Sequence, residues 1–350
     1  MLWRYLRFLH PFMSRKEGAS MNRIYYSVFG PYILKFIGFK NSLGYKYQDA
    51  GYALASFDQL ALEKDVFEIT LTKEIADEYC KKRPNESDKT RYNRIQILSQ
   101  FAGFLDDLGF RSYIPKLPKF RSTYTPYIFS KKEIQNIFRV CDALTPSVRN
   151  RNSTVFAIPV LIRLLYGTGI RIGEAFYLTC NDLNLHDKWL VLRNTKNGKD
   201  RMVPISDSLA NTCKEYLMYR NLFPAIRKEN KFFIKPDGSP MSMYNAYKWF
   251  RRILYSANIS HGGRCHGPRL HDLRHTFSVH SLASMSESEL DLYYALPLLS
   301  TCLGHQSLEA TDKYVRLTAE MYPDLIKKTS DIYSSVFPVI DTNTEDDETN

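Results

Sequence analysis

Three prolines set among cations do most to limit how this chain can fold. Pro115, Pro118 and Pro126 lie between Ile114 and Pro126, together with Lys116, Lys119 and Arg121. Each proline lacks an amide donor and its ring clashes with the preceding helical turn, so no helix crosses this stretch. The sequence therefore predicts two folded parts joined by an extended basic linker over 114–126. A chain of 350 residues is long enough for two cores.

Before the linker, apolar residues recur at helical spacing. Ile24, Val28, Tyr32, Leu34 and Ile37 form one run, with Gly30-Pro31 as a helix start or break within it. Tyr52, Leu54, Phe57, Leu60 and Leu62 form a second run, and Thr72 with Glu74 caps a third. From Lys89 to Leu108 a stripe of Ile95, Leu98, Phe101, Ala102 and Leu105 leads to a capping glycine, Gly109. This predicts a small all-helical module over 22–113, behind an N-terminal extension at 1–21 in which Met1 and Met21 are both candidate starts. Lys89, Arg91 and Arg94 open the fourth helix, where the helix dipole disfavours cations. They are either a solvated face or a set of phosphate contacts.

Beyond the linker, Ser130 and Glu133 form a capping box, and Thr154 to Tyr166 reads as a buried helix ending at Gly167-Thr-Gly169. Helical spacing resumes at Ile170, with Arg171 in its first turn and Glu174 three residues on, where the two can pair. The period then changes to two: Lys188–Arg193 and Arg201–Ile205 read as strands meeting at Asn197-Gly198, with Lys196 and Lys199 beside the turn. Helices follow at Ser206–Tyr219 and Ser242–Ser256. The expected fold class is mainly α with a small β-hairpin or sheet (α+β), with a second domain over 127–336 and an acidic, disordered tail at 337–350.

Lys and Arg number 48 against 37 Asp and Glu, a net charge of +11, although five acids crowd into the last ten residues. A body this basic, with 24 Tyr and 21 Phe, suits a polyanion held at its phosphates and packed against rings; a solvated basic surface is the alternative. Six dispersed cysteines form no C-x-x-C pair, which favours reduced thiols. No apolar run approaches the roughly 20 residues that span a bilayer. Arg4, Arg7, His10 and Pro11 interrupt what would be the apolar heart of a signal peptide, so the protein is expected to be cytoplasmic, with no membrane partner.

The densest chemistry runs from His271 to Tyr314: His271-Asp-Leu-Arg274-His275, then Leu303-Gly304-His305, then Tyr314. If these groups converge with Arg171 and Lys196 on one phosphodiester, two arginine forks would hold its non-bridging oxygens. Histidines would move protons and a hairpin lysine would protonate the departing oxygen. Tyrosine, with an ordinary pKa of about 10, would need such help to act as a nucleophile. No metal or cofactor is required. His271 and His275 could face one zinc ion, but Asp272 stands where an H-E-x-x-H motif has its glutamate.

In this order, Gly167-Thr-Gly-Ile-Arg171-Ile-Gly-Glu174, Thr195-Lys196 through Pro204, His271-x-x-Arg274-His275, Leu303-Gly-His305 and Tyr314 resemble the tyrosine recombinases, or phage integrases. The resemblance covers roughly residues 124 to 325. It implies a tyrosine-recombinase catalytic domain behind a helical, SAM-like core-binding domain, and cleavage of DNA through a 3′-phosphotyrosine without metal or ATP. It assigns Arg171, Arg274 and His305 to phosphate activation, Lys196 to general acid, His271 to proton transfer and Tyr314 to nucleophile, while spacing alone leaves Lys199 as an alternative to Lys196.

The implied partners are double-stranded DNA with specific recombination sites, three further copies of the chain on two DNAs, and accessory DNA-bending proteins. Lys89, Arg91, Arg94, Lys116, Lys119 and Arg121 are the candidate DNA contacts, and 319–336 is the candidate segment for docking a neighbouring subunit. The stretch from Phe277 to Leu303 exceeds the family's usual spacing and should add a surface loop or a longer helix. The rival readings are a catalytically silent DNA-binding regulator, disfavoured because all six site positions are filled, and a type IB topoisomerase. A metal-dependent nuclease would need clustered acids that this stretch lacks.

Overall fold

A computed structural model describes residues 23–322 apart from 46, 121–124, 146–153, 196–197, 224–229, 264–266, 289 and 291. The extension at 1–21, Arg121, Lys196, most of the candidate docking segment (323–336) and the acidic tail lie outside the described residues. The chain divides into two compact units between Tyr124 and Thr125.

The first unit holds α1 (Gly30–Ser42), α2 (Gln48–Glu63), α3 (Lys73–Cys80) and α4 (Asp88–Asp107). Gly30-Pro31 is a helix start: Pro31 sits in the first turn, where a missing N–H costs nothing. The helices close on an aromatic core in which Phe29 meets Phe57 at 5.1 Å and Phe36 meets Phe101 at 5.5 Å between centroids. Asp58, buried on α2, accepts from the backbone amides of Tyr26 and Ser27 and so fixes the entry to α1. Part of the stretch expected to be an extended basic linker packs on this unit. Phe120 packs on Tyr92 with centroids 4.9 Å apart, and the Lys89 ammonium lies over the Phe120 ring.

The second unit begins with α5 (Lys131–Asp142), whose capping box is present: Ser130 Oγ accepts from the Glu133 amide, and Glu133 Oε2 from the Ser130 amide. A 3-10 turn at Thr154–Ala157 leads into α6 (Ile158–Thr168), because Pro159 is accommodated only at a helix start. After α7 (Ile172–Tyr177) comes an antiparallel sheet of β1 (Leu183–Asn184), β2 (Trp189–Leu192) and β3 (Arg201–Pro204), in the order β1-β2-β3.

Leu190 pairs with Val203 and Leu192 with Arg201, so the loop over 193–200 is longer than the two-residue turn that Asn197-Gly198 suggests. Helices α8 (Asp207–Asn221), α9 (Met243–Ser256), α10 (Asp272–Glu287), α11 (Leu292–Leu303) and α12 (Glu309–Met321) complete the unit. Most of the long stretch after Phe277 is thus helical: it completes α10 and forms α11.

Helix α10 runs through the interior against α6, α11 and α12. Two of its buried hydroxyls are satisfied within the helix: Thr276 Oγ1 donates to Asp272 O, and Ser278 Oγ to Arg274 O. Among the described residues no helix is long and apolar enough to cross a membrane.

Candidate active site

The site is built around Arg274, whose guanidinium ties α10 to two chain turns. Nη1 donates to Gly169 O at 2.6 Å, and Nη2 to Leu303 O at 2.8 Å. Gly169 caps α6 at φ +63°, and a Cβ there would stand 2.2 Å from the Phe277 ring, so only glycine lets this carbonyl face the arginine. Nη2 also lies 3.0 Å from His305 Nε2. A guanidinium only donates, so Nε2 is the acceptor and the His305 proton sits on Nδ1, which donates to Thr311 Oγ1 at 2.8 Å. Burial, then the charge of Arg171, pushes the Arg274 pKa down to about 10.

Tyr314, on α12, is 1% exposed. Its hydroxyl is hydrogen-bonded to His275 Nδ1 at 2.9 Å, and its ring lies parallel to that of His305 at 6.2 Å. His271, at the N-cap of α10, meets His275 edge-on at 4.8 Å. Burial, followed by neighbouring positive charge, lowers the pKa of His271 and of His305 to about 4; for His275, burial and then His271 lower it to about 3. All three imidazoles are therefore neutral at pH 7. Burial pushes the Tyr314 phenol up, against the opposing pull of Arg274. Lys313 adds a cation 5.0 Å from the Tyr314 ring centroid.

Arg171 stands just before α7 and gives Nη1 to Glu174 Oε1 at 2.8 Å. Glu174 also accepts both terminal nitrogens of Arg201, at 3.0 and 2.8 Å. Burial acts to raise the Glu174 pKa, but the Arg201 fork and the Arg171 amide outweigh it, leaving the carboxyl below its ordinary range. Among the described residues, no group of three or more His, Cys, Asp or Glu side chains could hold a metal ion.

Of the six residues singled out from sequence, Arg171, His271, Arg274, His305 and Tyr314 come together here. Lys196 lies outside the described residues, while Lys199 is exposed and its carbonyl accepts from Thr195 Oγ1. Among the candidate DNA contacts, Lys89, Lys116 and Lys119 are exposed and Arg91 is half-buried, its Nε on Cys80 O.

Arg94 departs from expectation: it is 5% exposed, its fork closes on Glu86 at 2.9 Å, and it donates to the carbonyls of Tyr79 and Lys81. The apolar stripe of α4 continues through it, so it points into the protein rather than at a groove. Sequence reading also missed His275 as the partner of Tyr314, and it missed Arg201. A signal existed for Arg201, since the alternation of β3 puts it on the same inward face as the buried Val203. The solvent face of α9, with Tyr244, Tyr247, Lys248, Arg251 and Arg252, was likewise overlooked.

The fold and this constellation define a DNA-breaking and rejoining enzyme class, and comparison with known proteins gives the same answer. The chain belongs to the phage integrase family, whose model matches residues 128–321. It is similar to the integrase/recombinase-type protein y4rB of Sinorhizobium fredii, at 26% identity over 86% of this chain and 97% of that one. Tyrosine recombinase XerA of Pyrococcus furiosus is 29% identical over 67% of this chain and 72% of its own. Among solved structures, the Tn1549 transposon integrase in complex with transposon right end DNA superposes with a TM-score of 0.57 at 18% identity, covering 83% of this chain and 99% of that one. The XerH site-specific recombinase bound to a palindromic difH substrate gives 0.55 at 20% identity, over 80% of this chain and 78% of the other.

Proposed function

We propose that this protein is a site-specific tyrosine recombinase that cuts and reseals DNA through a 3′-phosphotyrosyl bond at Tyr314. The observation that carries this reading is the union of Arg274, His305 and Tyr314 in one buried cluster, with Arg171 and His271 at its edge.

Arg171 and Arg274 hold the non-bridging oxygens and offset charge that builds as the Tyr314 oxygen bonds to phosphorus. The bond to O5′ breaks, and a lysine of the 193–200 loop, Lys196, protonates the departing oxygen. A phosphodiester anion raises the pKa of neighbouring imidazoles, so His271 gains the basicity to take the phenol proton and His305 gains the capacity to donate to phosphate. The phosphoryl group stays esterified to tyrosine, so the step reverses onto another 5′-hydroxyl without ATP. In the DNA-free protein the Tyr314 hydroxyl is engaged by His275, so attack requires that bond to open.

The partner is double-stranded DNA carrying recombination sites. Binding is supported by the excess of cations and by exposed Lys89, Lys116, Lys119 and the α9 face. Exchange between two DNAs takes four protomers, with 319–336 as the segment that docks on a neighbour, and accessory DNA-bending proteins assist assembly. The reading is tested with a nicked suicide substrate in EDTA. A covalent adduct that disappears in Tyr314→Phe supports it, while no adduct, or one that survives Tyr314→Phe, sinks it. Joining of two sites, rather than relaxation of one supercoiled DNA, separates a recombinase from a topoisomerase.

A further inference from the structure

We infer that Arg201, on β3, is the positioning residue that locks the two halves of the phosphate pocket together; this rests on the recombinase reading above. Its guanidinium touches three elements at once. Both terminal nitrogens close on Glu174, at 3.0 and 2.8 Å, while Nε donates to Cys302 O at 3.0 Å. Gly304, at φ +63°, packs so tightly on the same group that an added Cβ would lie 2.7 Å from Nη1. Burial increases inward: the Arg171 side chain is 24% exposed, Arg201 10% and Glu174 8%.

The last carbonyls of a helix have no partner within it, and they carry the negative end of its dipole. At the end of α11, Cys302 O accepts from Arg201, and the next carbonyl, Leu303 O, accepts from Arg274. Two arginines from different elements therefore fix the turn that carries His305. At its other end, Arg201 occupies both oxygens of Glu174, which also accepts the Arg171 backbone amide and then holds the Arg171 guanidinium through Nη1 alone. Among the described residues, no partner is seen for Arg171 Nε or Nη2, and these are the atoms left to meet a phosphate. Without Arg201, a deeply buried carboxylate would have one cation left and would draw Arg171 into a two-point pair, away from DNA. The same loss would remove one of the two arginines that hold the turn before His305.

Arg201→Met and Arg201→Lys test this in the full-length protein. Single-turnover adduct formation on the suicide substrate should fall on the order of 100-fold in Arg201→Met, the scale of a misplaced reacting group, with affinity for the same DNA within about threefold. Arg201→Lys keeps the charge but lacks the planar fork, and should recover less than about a tenth of the rate. In a Glu174→Gln background the loss from Arg201→Met should shrink, because the two residues act through one contact. An unchanged rate in Arg201→Met, full recovery in Arg201→Lys, or a loss carried wholly by DNA affinity would each overturn the inference.

A second readout needs no activity. A crystal structure of DNA-free Arg201→Lys, or of Arg201→Met, should show Arg171 turned onto both oxygens of Glu174; Arg171 left in place refutes the inference. If wild-type protein forms no Tyr314 adduct, the recombinase reading fails, while this structural outcome still decides the role of Arg201.

Discussion

Tyr314 combines two demands that conflict in water: the phenol must attack phosphorus, yet it rests fully buried against His275 and His305. A buried hydroxyl without a partner costs about 1–3 kcal/mol, so His275→Leu should lower stability to urea by that amount. The same change in a Tyr314→Phe background, where no hydroxyl remains, should cost less; equal losses in both backgrounds would show that the hydrogen bond contributes nothing. His305 shows how a partner selects a tautomer: Arg274 cannot accept, so the ring must present a lone pair at Nε2 and carry its proton at Nδ1.

At the scale of elements, α4 separates two kinds of cation that the sequence lists side by side. Arg94 is paired with Glu86 inside the fold, and Arg94→Ala should cost about 3–5 kcal/mol because it strands a buried carboxylate. Lys89→Ala should leave stability within about 0.5 kcal/mol and act on DNA affinity instead. Denaturant titration beside DNA binding distinguishes the two, and a destabilised Lys89→Ala would contradict this division. The α6 end makes a matching case. Gly169→Ala forces a positive φ on alanine and a methyl into Phe277 and Leu303, at a cost of about 1–3 kcal/mol. It should also slow adduct formation by displacing the carbonyl that seats Arg274.

For the whole molecule, pH and salt are the informative variables. His271, His275 and His305 titrate near 6.5 when unfolded but at about 4, 3 and 4 when folded. The unfolded chain thus binds more protons in this range. The stability these histidines confer is complete above pH 6.5 and declines as pH falls towards 4, by at most about 1.4 kcal/mol per pH unit for each. Urea midpoints measured from pH 7 to 4 should fall accordingly, and flat midpoints would mean that the rings are already protonated or solvated. The net charge of +11 predicts DNA binding whose logarithm falls linearly with the logarithm of salt concentration. A salt-independent affinity would point away from phosphate contacts.

Helices and their ends were legible because they depend on neighbours in sequence. Ser130 and Glu133 satisfy each other's amides three residues apart, and Gly30-Pro31 and Gly167-Thr-Gly169 mark boundaries through backbone sterics alone. The residue types of the site were legible for a different reason, since motif order brought Arg171, His271, Arg274, His305 and Tyr314 to attention together. Sequence could not assign a direction to a cation: Arg94 and Lys89 differ only in which side of one helix they occupy, and Arg201 looks like any hairpin arginine until Glu174 and Cys302 O are seen around it.

The sequence by itself determined the local elements, the charge and the chemical kind of each site residue, since these follow from backbone sterics, side-chain periodicity and functional groups. Only the tertiary structure decided which atoms share a bond, that Tyr314 is held by His275 and that Arg201 joins the two halves. Those facts depend on contacts between residues far apart in the chain, 101 positions from Arg201 to Cys302 and 105 from Gly169 to Arg274, and no local propensity encodes such distances.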